Sequence, residues 1–425
     1  MNAQAELAGA PRVPLRYLVE FNPRPRPTSD ESCYLPMEAI SEFGAVDTSR
    51  MRPTSDLLSG YSYISDGDVA YAKVTPCFEN GKGLLARDLP NGYAFATTEI
   101  SVLRPRNGLD ARFLAWILQS SDFRSPGMSH MTGAGGLRRV PDSFAASFRV
   151  PVPRIEVQRA IADYLDRETA QIDAFIAKNE ELIALLTELR SATVARSVLR
   201  GIDPSTELRP SGVSWLGDVP AHWRVSRLSR WFSVTLGKML DESKFASTVG
   251  EVVPYLRASN IKPERLDLTD VKSMPFTRFE QQKFSLRAGD LVVVEGGSVG
   301  VNAPIEADMP EWGFQKTVNR VRSLNGDLTK FLGYQLDVIR EAGVLNMIAN
   351  VSTIQHLTAE KLERLAIAMP PRSEQIAIVQ HVERATTEID EAVQRARKAI
   401  ALARERRGAL ISAAVTGQID VGAAA

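Results

Sequence analysis

Two stretches decide how this chain is read: PRIEVQRAIADYLDRETAQIDAFI (153–176) and PPRSEQIAIVQHVERATTEIDEAV (370–393). A constant offset of 217 pairs Gln158 with Gln375, Ile161 with Ile378, Ile172 with Ile389 and Asp173 with Asp390. Further on, LRGID ending at Asp203 answers TGQID ending at Asp420. Upstream the match is looser but keeps its order: DGDVAYAKV (66–74) corresponds to AGDLVVVEG (288–296), and DARFLAWILQSSDFR (110–124) to LTKFLGYQLDVIREA (328–342). A long internal repeat fixes the organisation before any element is assigned. The chain is two copies of one unit, each a globular part followed by a long helix.

Both helical stretches open with Pro, then an acidic residue and Gln, which suits a helix start because Pro fits the first turn and carboxylates favour the N-terminal dipole. In the first, Ile161, Phe175, Leu182 and Leu189 form one seven-residue series, and Leu165, Ile172 and Leu186 form another. This spacing predicts a heptad seam with Asn179 on it, where a buried amide can fix register. From Gln158 to Leu199 the helix would be about 60 Å long, too long to bury itself against one small domain. The second stretch supplies a partner, with Ile378, Val382, Ile389, Val393 and Ile400 alternating with alanines that permit close approach. The expected architecture is α/β (α+β) globular parts in tandem, with the two helices paired as an antiparallel coiled coil. An ordinary helical bundle within each domain is the competing reading.

The expected boundaries are a loose N-terminal tail (1–12), a first globular part (13–153), long helix 1 (154–200), a linker (201–217), a second globular part (218–371), long helix 2 (372–416) and a C-terminal tail (417–425). The linker is rich in Gly, Pro and Ser, and its region holds Trp215 and Trp223, which read as packing anchors. Cys33 and Cys77 cannot staple 425 residues, so a reducing, cytoplasmic setting is expected. The first twenty residues hold no apolar leader core and no run is long enough to span a bilayer, so no membrane association is expected.

Charge stands against one obvious function. Lys plus Arg and Asp plus Glu both total 51, for a net charge of zero, whereas nucleic-acid binding normally leaves a basic footprint. The balance holds within each part: residues 1–150 carry 16 basic and 16 acidic side chains, residues 218–370 carry 19 and 18. Local clusters remain, among them Arg138 with Arg139 and RARKAIALARERR (395–407).

Polar, Gly-rich segments interrupt the apolar runs: YAKVTPCFENGKG (71–83), TTE (97–99) and MTGAGGLRRV (131–140) in the first part; YLRASNIK (255–262), VEGGSVGVNA (294–303), QKTVNR (315–320) and NVSTIQHL (350–357) in the second. They concentrate the side chains that read base edges and hold phosphates, although such segments also serve as plain surface turns. Enzyme signatures are missing. GSVG and GAGG are too short for a dinucleotide fingerprint, no phosphate loop is present, and no acidic residue or Asn precedes Pro-Pro-aromatic. The four histidines, His130, His222, His356 and His381, lack metal spacing and read as satisfied structural residues.

The tandem arrangement strongly resembles the specificity subunit of type I restriction-modification systems. PPRSEQIAIV (370–379) looks like that family's helix-start motif, SGVSWLGDVPAHWRVSRL (211–228) like its lead-in to a recognition domain, and AKVTPCFENGKG (72–83) with TTEISVLRP (97–105) is similar to a recurrent recognition block. Two departures stand out: PRIEVQ (153–158) at the first helix start, and VPLRYLVEFN (13–22) without the Trp-containing lead-in.

The resemblance implies a non-catalytic subunit that reads double-stranded DNA, each globular part being a target-recognition domain for one half of a bipartite, asymmetric target. The helix pair would set the spacing and dock two methylation subunits. No cofactor or metal would be bound by this chain; S-adenosylmethionine would sit on the methylation subunits, and ATP and Mg on restriction subunits where these are present. The expected DNA-binding residues are Lys73, Thr75, Asn80, Lys82, Thr98, Arg138 and Arg139 in the first domain, and Arg257, Asn260, Ser298, Asn302, Gln315, Lys316, Ser352, Thr353 and Gln355 in the second. A stand-alone architectural nucleic-acid-binding protein without enzyme partners is the alternative, and a self-contained methyltransferase or nuclease is a third possibility.

Overall fold

The computed structural model describes residues 3–239, 250–349 and 356–421. The chain divides into two compact units, 1–181 with 396–425, and 182–395. The cuts fall inside the two long helices, Ile155–Arg200 and Arg372–Thr416, so each unit takes half of each helix.

In the first unit, an antiparallel sheet runs in the order Val19–Phe21, Ile100–Pro105, Val69–Ala72, Gly83–Leu85. Strand residues alternate sides, so Val69–Ala72, buried throughout, serves two cores. Val69 and Tyr71 pack toward the helix Ala111–Gln119, in a cluster with Phe113, Leu114 and Leu118. Ala70 and Ala72 pack toward a second sheet, whose Cys33, Leu35, Ile64, Ala94 and Ala96 complete a core built of small residues. That sheet runs Met51–Pro53, Glu31–Leu35, Tyr93–Ala96, Ser62–Ser65, with its middle pair parallel. Asp110 caps the helix, its carboxylate accepting from the Arg112 and Phe113 N–H groups.

The second unit repeats the plan. Its main sheet runs Phe232–Leu236, Val318–Ser323, Leu291–Val294, Asn302–Pro304, and the smaller sheet joins Lys272–Phe276, Glu251–Leu256 and Gly313–Phe314. Leu291 and Val293 face a core with Phe331, Leu332 and Leu336, whereas Val292 and Val294 face one with Phe276 and Phe314.

The repeated glutamines have a physical reason. Buried Gln158 accepts from the Asp110 N–H and donates to the Gly108 and Pro153 carbonyls, all at 2.9 Å. Gln375 likewise accepts from the Leu328 N–H and donates to Asp327 and the Pro370 carbonyl. Each amide welds a long-helix start to the loop before the domain helix.

Helix starts and helix ends share one core in each unit. Val157, Ile161 and Leu165 join Ile411, Ala414 and Val415 in the first unit; Ile378 and Val382 join Val194 and Val198 in the second. Ile161, Leu165, Ile378 and Val382, expected in an interhelical seam, therefore meet the other helix and also anchor the helices to the globular parts. Each fully buried aliphatic side chain contributes about 1.5–3 kcal/mol.

Within the first unit, Arg407 pairs with Asp173 at 2.9 Å and Arg404 with Glu180 at 3.0 Å; position rises along one helix as it falls along the other, so the segments run antiparallel. In the second unit, Arg190 pairs with Asp390 at 3.2 Å. The half-buried or buried positions step 4-3-4-3 through Leu165, Thr169, Ile172, Ile176 and Asn179 in one unit, and Ile183, Leu186 and Arg190 in the other. Val393, Ile389 and Val382 match them from the second helix, as does Ile400 in the first unit. Phe175, Leu182 and Leu189 do not belong to this seam, being 48, 44 and 52% exposed. They lie one residue, about 100° of helix rotation, off the facing line. Leu165, Ile172, Asn179 and Leu186 lie on the seam as expected, and polar Thr169 and Arg190 among the other facing positions hid that second series from an apolar count.

The expected tails and linker are ordered in part. Ala3–Gly9 is helical, Leu7 is buried, and the Glu6 carboxylate takes the Arg154 guanidinium and its backbone N–H, so the described part of the expected tail, 3–12, is not loose. Within 201–217, Leu208–Pro210 pairs with Asp218–Pro220, Leu216 is buried, and Trp215 donates to the Ala366 carbonyl, so this stretch belongs to the second unit. Val421 is buried in the first unit. No helix among the described residues is long and apolar enough to cross a membrane.

Candidate nucleic-acid interface

At the end of the strand Val69–Ala72, the chain is clamped from both sides. The Lys73 N–H donates to the Glu99 carbonyl at 2.9 Å, and the Lys73 carbonyl accepts from the Val140 N–H at 2.7 Å. These hydrogen bonds bring 71–83, 97–99 and 131–140 to one place. The last forms an exposed hairpin, Thr132–Ala134 with Leu137–Arg139, turned at Gly135 and Gly136. Their φ values of 64° and 82° place both in the left-handed region that tight hairpins demand and glycine allows.

The hairpin is held at its base. Thr75 Oγ1 accepts from the Arg138 N–H and donates to the Gly136 carbonyl, Arg138 pairs with Glu79 at 3.1 Å, and Arg139 pairs with Glu99 through two hydrogen bonds. That pairing holds the Glu99 carboxyl below its ordinary range. Arg124 supports the loop 76–82 by donating to the Phe78 and Glu79 carbonyls. Exposed ion pairs of this kind contribute little to stability, so both arginines can exchange a carboxylate for a phosphate or a guanine edge at small cost.

Of the first-domain candidates, Lys73, Thr75, Arg138 and Arg139 therefore converge, with exposed Asn80 and Thr98 in the same segments. Thr75 acts as a brace. Lys82 turns back to donate to the Met37 carbonyl, and Lys73 lies 4.0 Å from Asp142. Glu79 and Glu99, which restrain the arginines, carry no sequence signal that singles them out.

The second domain repeats the clamp with other side chains. The Glu295 N–H donates to the Thr317 carbonyl at 2.9 Å, and the Glu295 carbonyl accepts from the Leu357 N–H at 2.8 Å. Isolated bridges match too, Val74 with Arg139 and Gly296 with His356. Glu295 thus stands where Lys73 stands, Lys316 where Thr98 does, and His356 where Arg139 does. His356 is not the satisfied histidine expected: its Nδ1 is buried without a hydrogen-bond partner, 3.9 Å from the Glu295 carboxylate.

Two candidates here are structural. Asn260 and Asn302 are each 2% exposed. Asn260 accepts from the Arg257 N–H and donates to the Asp267 and Asp270 carbonyls, closing its own loop. Asn302 donates toward Asp337 and the Gly300 and Gly333 carbonyls. Arg257 is tied to Asp270, and Gln315 donates to Thr317 Oγ1; Lys316 and Ser298 are exposed. Ser352, Thr353 and Gln355 lie outside the described residues.

On the helix pair, the basic run 395–407 is partly spent within the chain, in Arg404–Glu180 and in Arg407, which pairs with Asp173 and stacks over Trp116. Beside it, Ile172, Phe175, Ala399, Leu402 and Ala403 line an open apolar groove of about 480 Å³. Among the described residues no three His, Cys, Asp or Glu side chains are grouped to hold a metal.

A repeated scaffold carrying different loop chemistry agrees with the comparison to known proteins. Residues 220–397 match the family model described as the type I restriction modification DNA specificity domain. Over those residues the chain matches the type I restriction-modification specificity family. It is 32% identical over 195 residues to the EcoEI specificity subunit of Escherichia coli, an alignment covering 42% of this chain and 33% of that one. The EcoAI specificity subunit gives 32% over 189 residues, so the chain spans about a third of the length of these two relatives. With the EcoKI specificity subunit of strain K12, identity is 24% over 75% of this chain and 68% of the relative. Among solved structures, a chain reported under the structural basis of complex assembly and conformational transition of the type I R-M system aligns with a TM-score of 0.76 and 17% identity, covering 96% of this chain and 98% of that one. The HsdS subunit from Thermoanaerobacter tengcongensis aligns with a TM-score of 0.58 and 16% identity over 97% of both. These two likenesses establish the specificity-subunit fold.

Proposed function

We propose that this specificity chain is the DNA-reading subunit of a type I complex, each globular part reading one half of a bipartite, asymmetric target through the major groove. The observation that carries this reading is the double clamp: one scaffold presents Lys73, Thr98 and Arg139 in one domain and Glu295, Lys316 and His356 in the other. Equal geometry with unequal donors and acceptors is what two different half-sites require. The antiparallel helices act as a ruler between the halves, and the groove beside Phe175 and Leu402 receives methylation subunits. Adenine methylation belongs to those subunits with S-adenosylmethionine, and cleavage to restriction subunits with ATP and Mg. With zero net charge, the isolated chain binds DNA weakly and borrows phosphate affinity from its partners. Mapping modified adenines in host DNA tests the reading. One motif with two different halves is expected; a continuous palindrome overturns it.

A further inference from the structure

The side chain at the centre of the second clamp is an anomaly. The Glu295 side chain is only 12% exposed, and no described residue hydrogen-bonds its carboxylate; His356 Nδ1 is 3.9 Å away and Lys316 also flanks it. Burial pushes its carboxyl above the ordinary range, against the opposing pull of His356 and Lys316. A carboxylate this far from solvent, with only the 3.9 Å ion-pair contact to His356 beside it among the described residues, is poorly compensated. At the equivalent place in the first domain Lys73 lies 4.0 Å from Asp142, and beside it Arg139 and Glu99 satisfy one another.

We infer that Glu295 is a specificity-determining residue of the second domain, accepting a hydrogen bond from the exocyclic amino group of a cytosine in the major groove. This rests on the reading of the chain as a DNA-specificity subunit. A carboxylate only accepts hydrogen bonds and is repelled by phosphate, so on a DNA-facing surface it needs a base donor. Adenine presents an acceptor, N7, beside its amino group and suits an amide that both donates and accepts; cytosine presents the amino donor alone. The carboxylate therefore selects cytosine. Lys73 at the same place in the first domain carries the opposite preference, for the acceptor edge of guanine.

The test uses the full chain co-expressed with its methylation subunits, with Glu295→Gln and Glu295→Lys as variants. Gln preserves shape, and co-purification with the partners reports folding. Modified adenines are mapped for each complex. In both variants the first half of the motif stays unchanged, and one G·C position of the second half loses its preference by about tenfold or more. An unchanged second half in both, or a wild-type second half without a G·C pair, overturns the inference and leaves the functional reading standing. A wild-type motif that is not bipartite overturns that reading and this inference with it.

Discussion

The Arg138 backbone N–H donates to Thr75 Oγ1 at 3.0 Å, and the same hydroxyl donates to the Gly136 carbonyl at 2.8 Å. One side chain thereby braces a hairpin whose residues 132–139 are all exposed, alongside the backbone bond from the Thr75 N–H to the Arg138 carbonyl and the two arginine–glutamate pairs. Thr75→Val keeps the shape and removes both hydrogen bonds, at about 1 kcal/mol each. Amide exchange across 132–139 should accelerate by about fivefold or more, with the global melting transition nearly unmoved. Unchanged exchange would show that the hairpin is held by other means.

Arg138 and Arg139 are the cations that the hairpin carries outward. Replacing both with Ala in the assembled complex should weaken DNA binding and reduce the slope of log affinity against log salt by about 2 if each meets a phosphate. If either reads a guanine instead, the first half of the motif relaxes at one position. Affinity, salt slope and motif all unchanged would remove them from the interface.

Gln375 is fully buried and spends its whole amide on the Leu328 N–H, Asp327 and the Pro370 carbonyl. Gln375→Leu strands a backbone N–H and a carbonyl, each costing about 1–3 kcal/mol. Denaturant unfolding should report a loss of about 2–4 kcal/mol, and Gln158→Leu should do the same in the first unit.

Burial pushes the Asp337 carboxyl up to about 6, against the opposing pull of Arg340. The folded form holds this proton more tightly than the unfolded chain, so the contribution is full below about pH 4 and is lost as pH rises through about 6, by at most about 3 kcal/mol. Asp337→Asn keeps an oxygen for Asn302 and Arg340 and cannot ionise. Its stability profile between pH 4 and 7 should be flatter than that of the wild type, and a parallel profile would contradict the assignment.

Phe175 and Leu402 are each about half exposed on the helix-pair groove. Phe175→Glu with Leu402→Glu should leave the melting temperature within a degree or two, since neither side chain is core, and abolish co-purification with methylation subunits. Retained co-purification would place the docking site elsewhere.

Much of this was legible along the chain. Gln158 and Gln375 mark the repeat, and the matched segments 66–74 and 288–296 hold the strands Val69–Ala72 and Leu291–Val294, both of whose faces meet a core. Half of the helix seam was legible, since Leu165, Ile172, Asn179 and Leu186 lie on it; the other half was not, because Thr169 and Arg190 face inward while Phe175 and Leu189 face out, inverting the polarity on which a heptad count depends. Nor could sequence separate outward from inward amides. Asn260 and Asn302 sit among glycines and polar residues like the exposed Asn80, yet they close their own loops.

By itself the sequence determined two units, two long helices and the family they resemble, because periodicity and repeat spacing are properties of the chain read in order. Tertiary structure decided which side chains stand at the recognition surface. Glu295 is 222 residues from Lys73, whereas Thr317 is 218 from Glu99 and Leu357 is 217 from Val140. The drift in offset hides the equivalence from any fixed register. It becomes visible only in the two backbone hydrogen bonds that clamp Lys73 and Glu295 alike, bonds between segments far apart in the chain that form only when the sheet does.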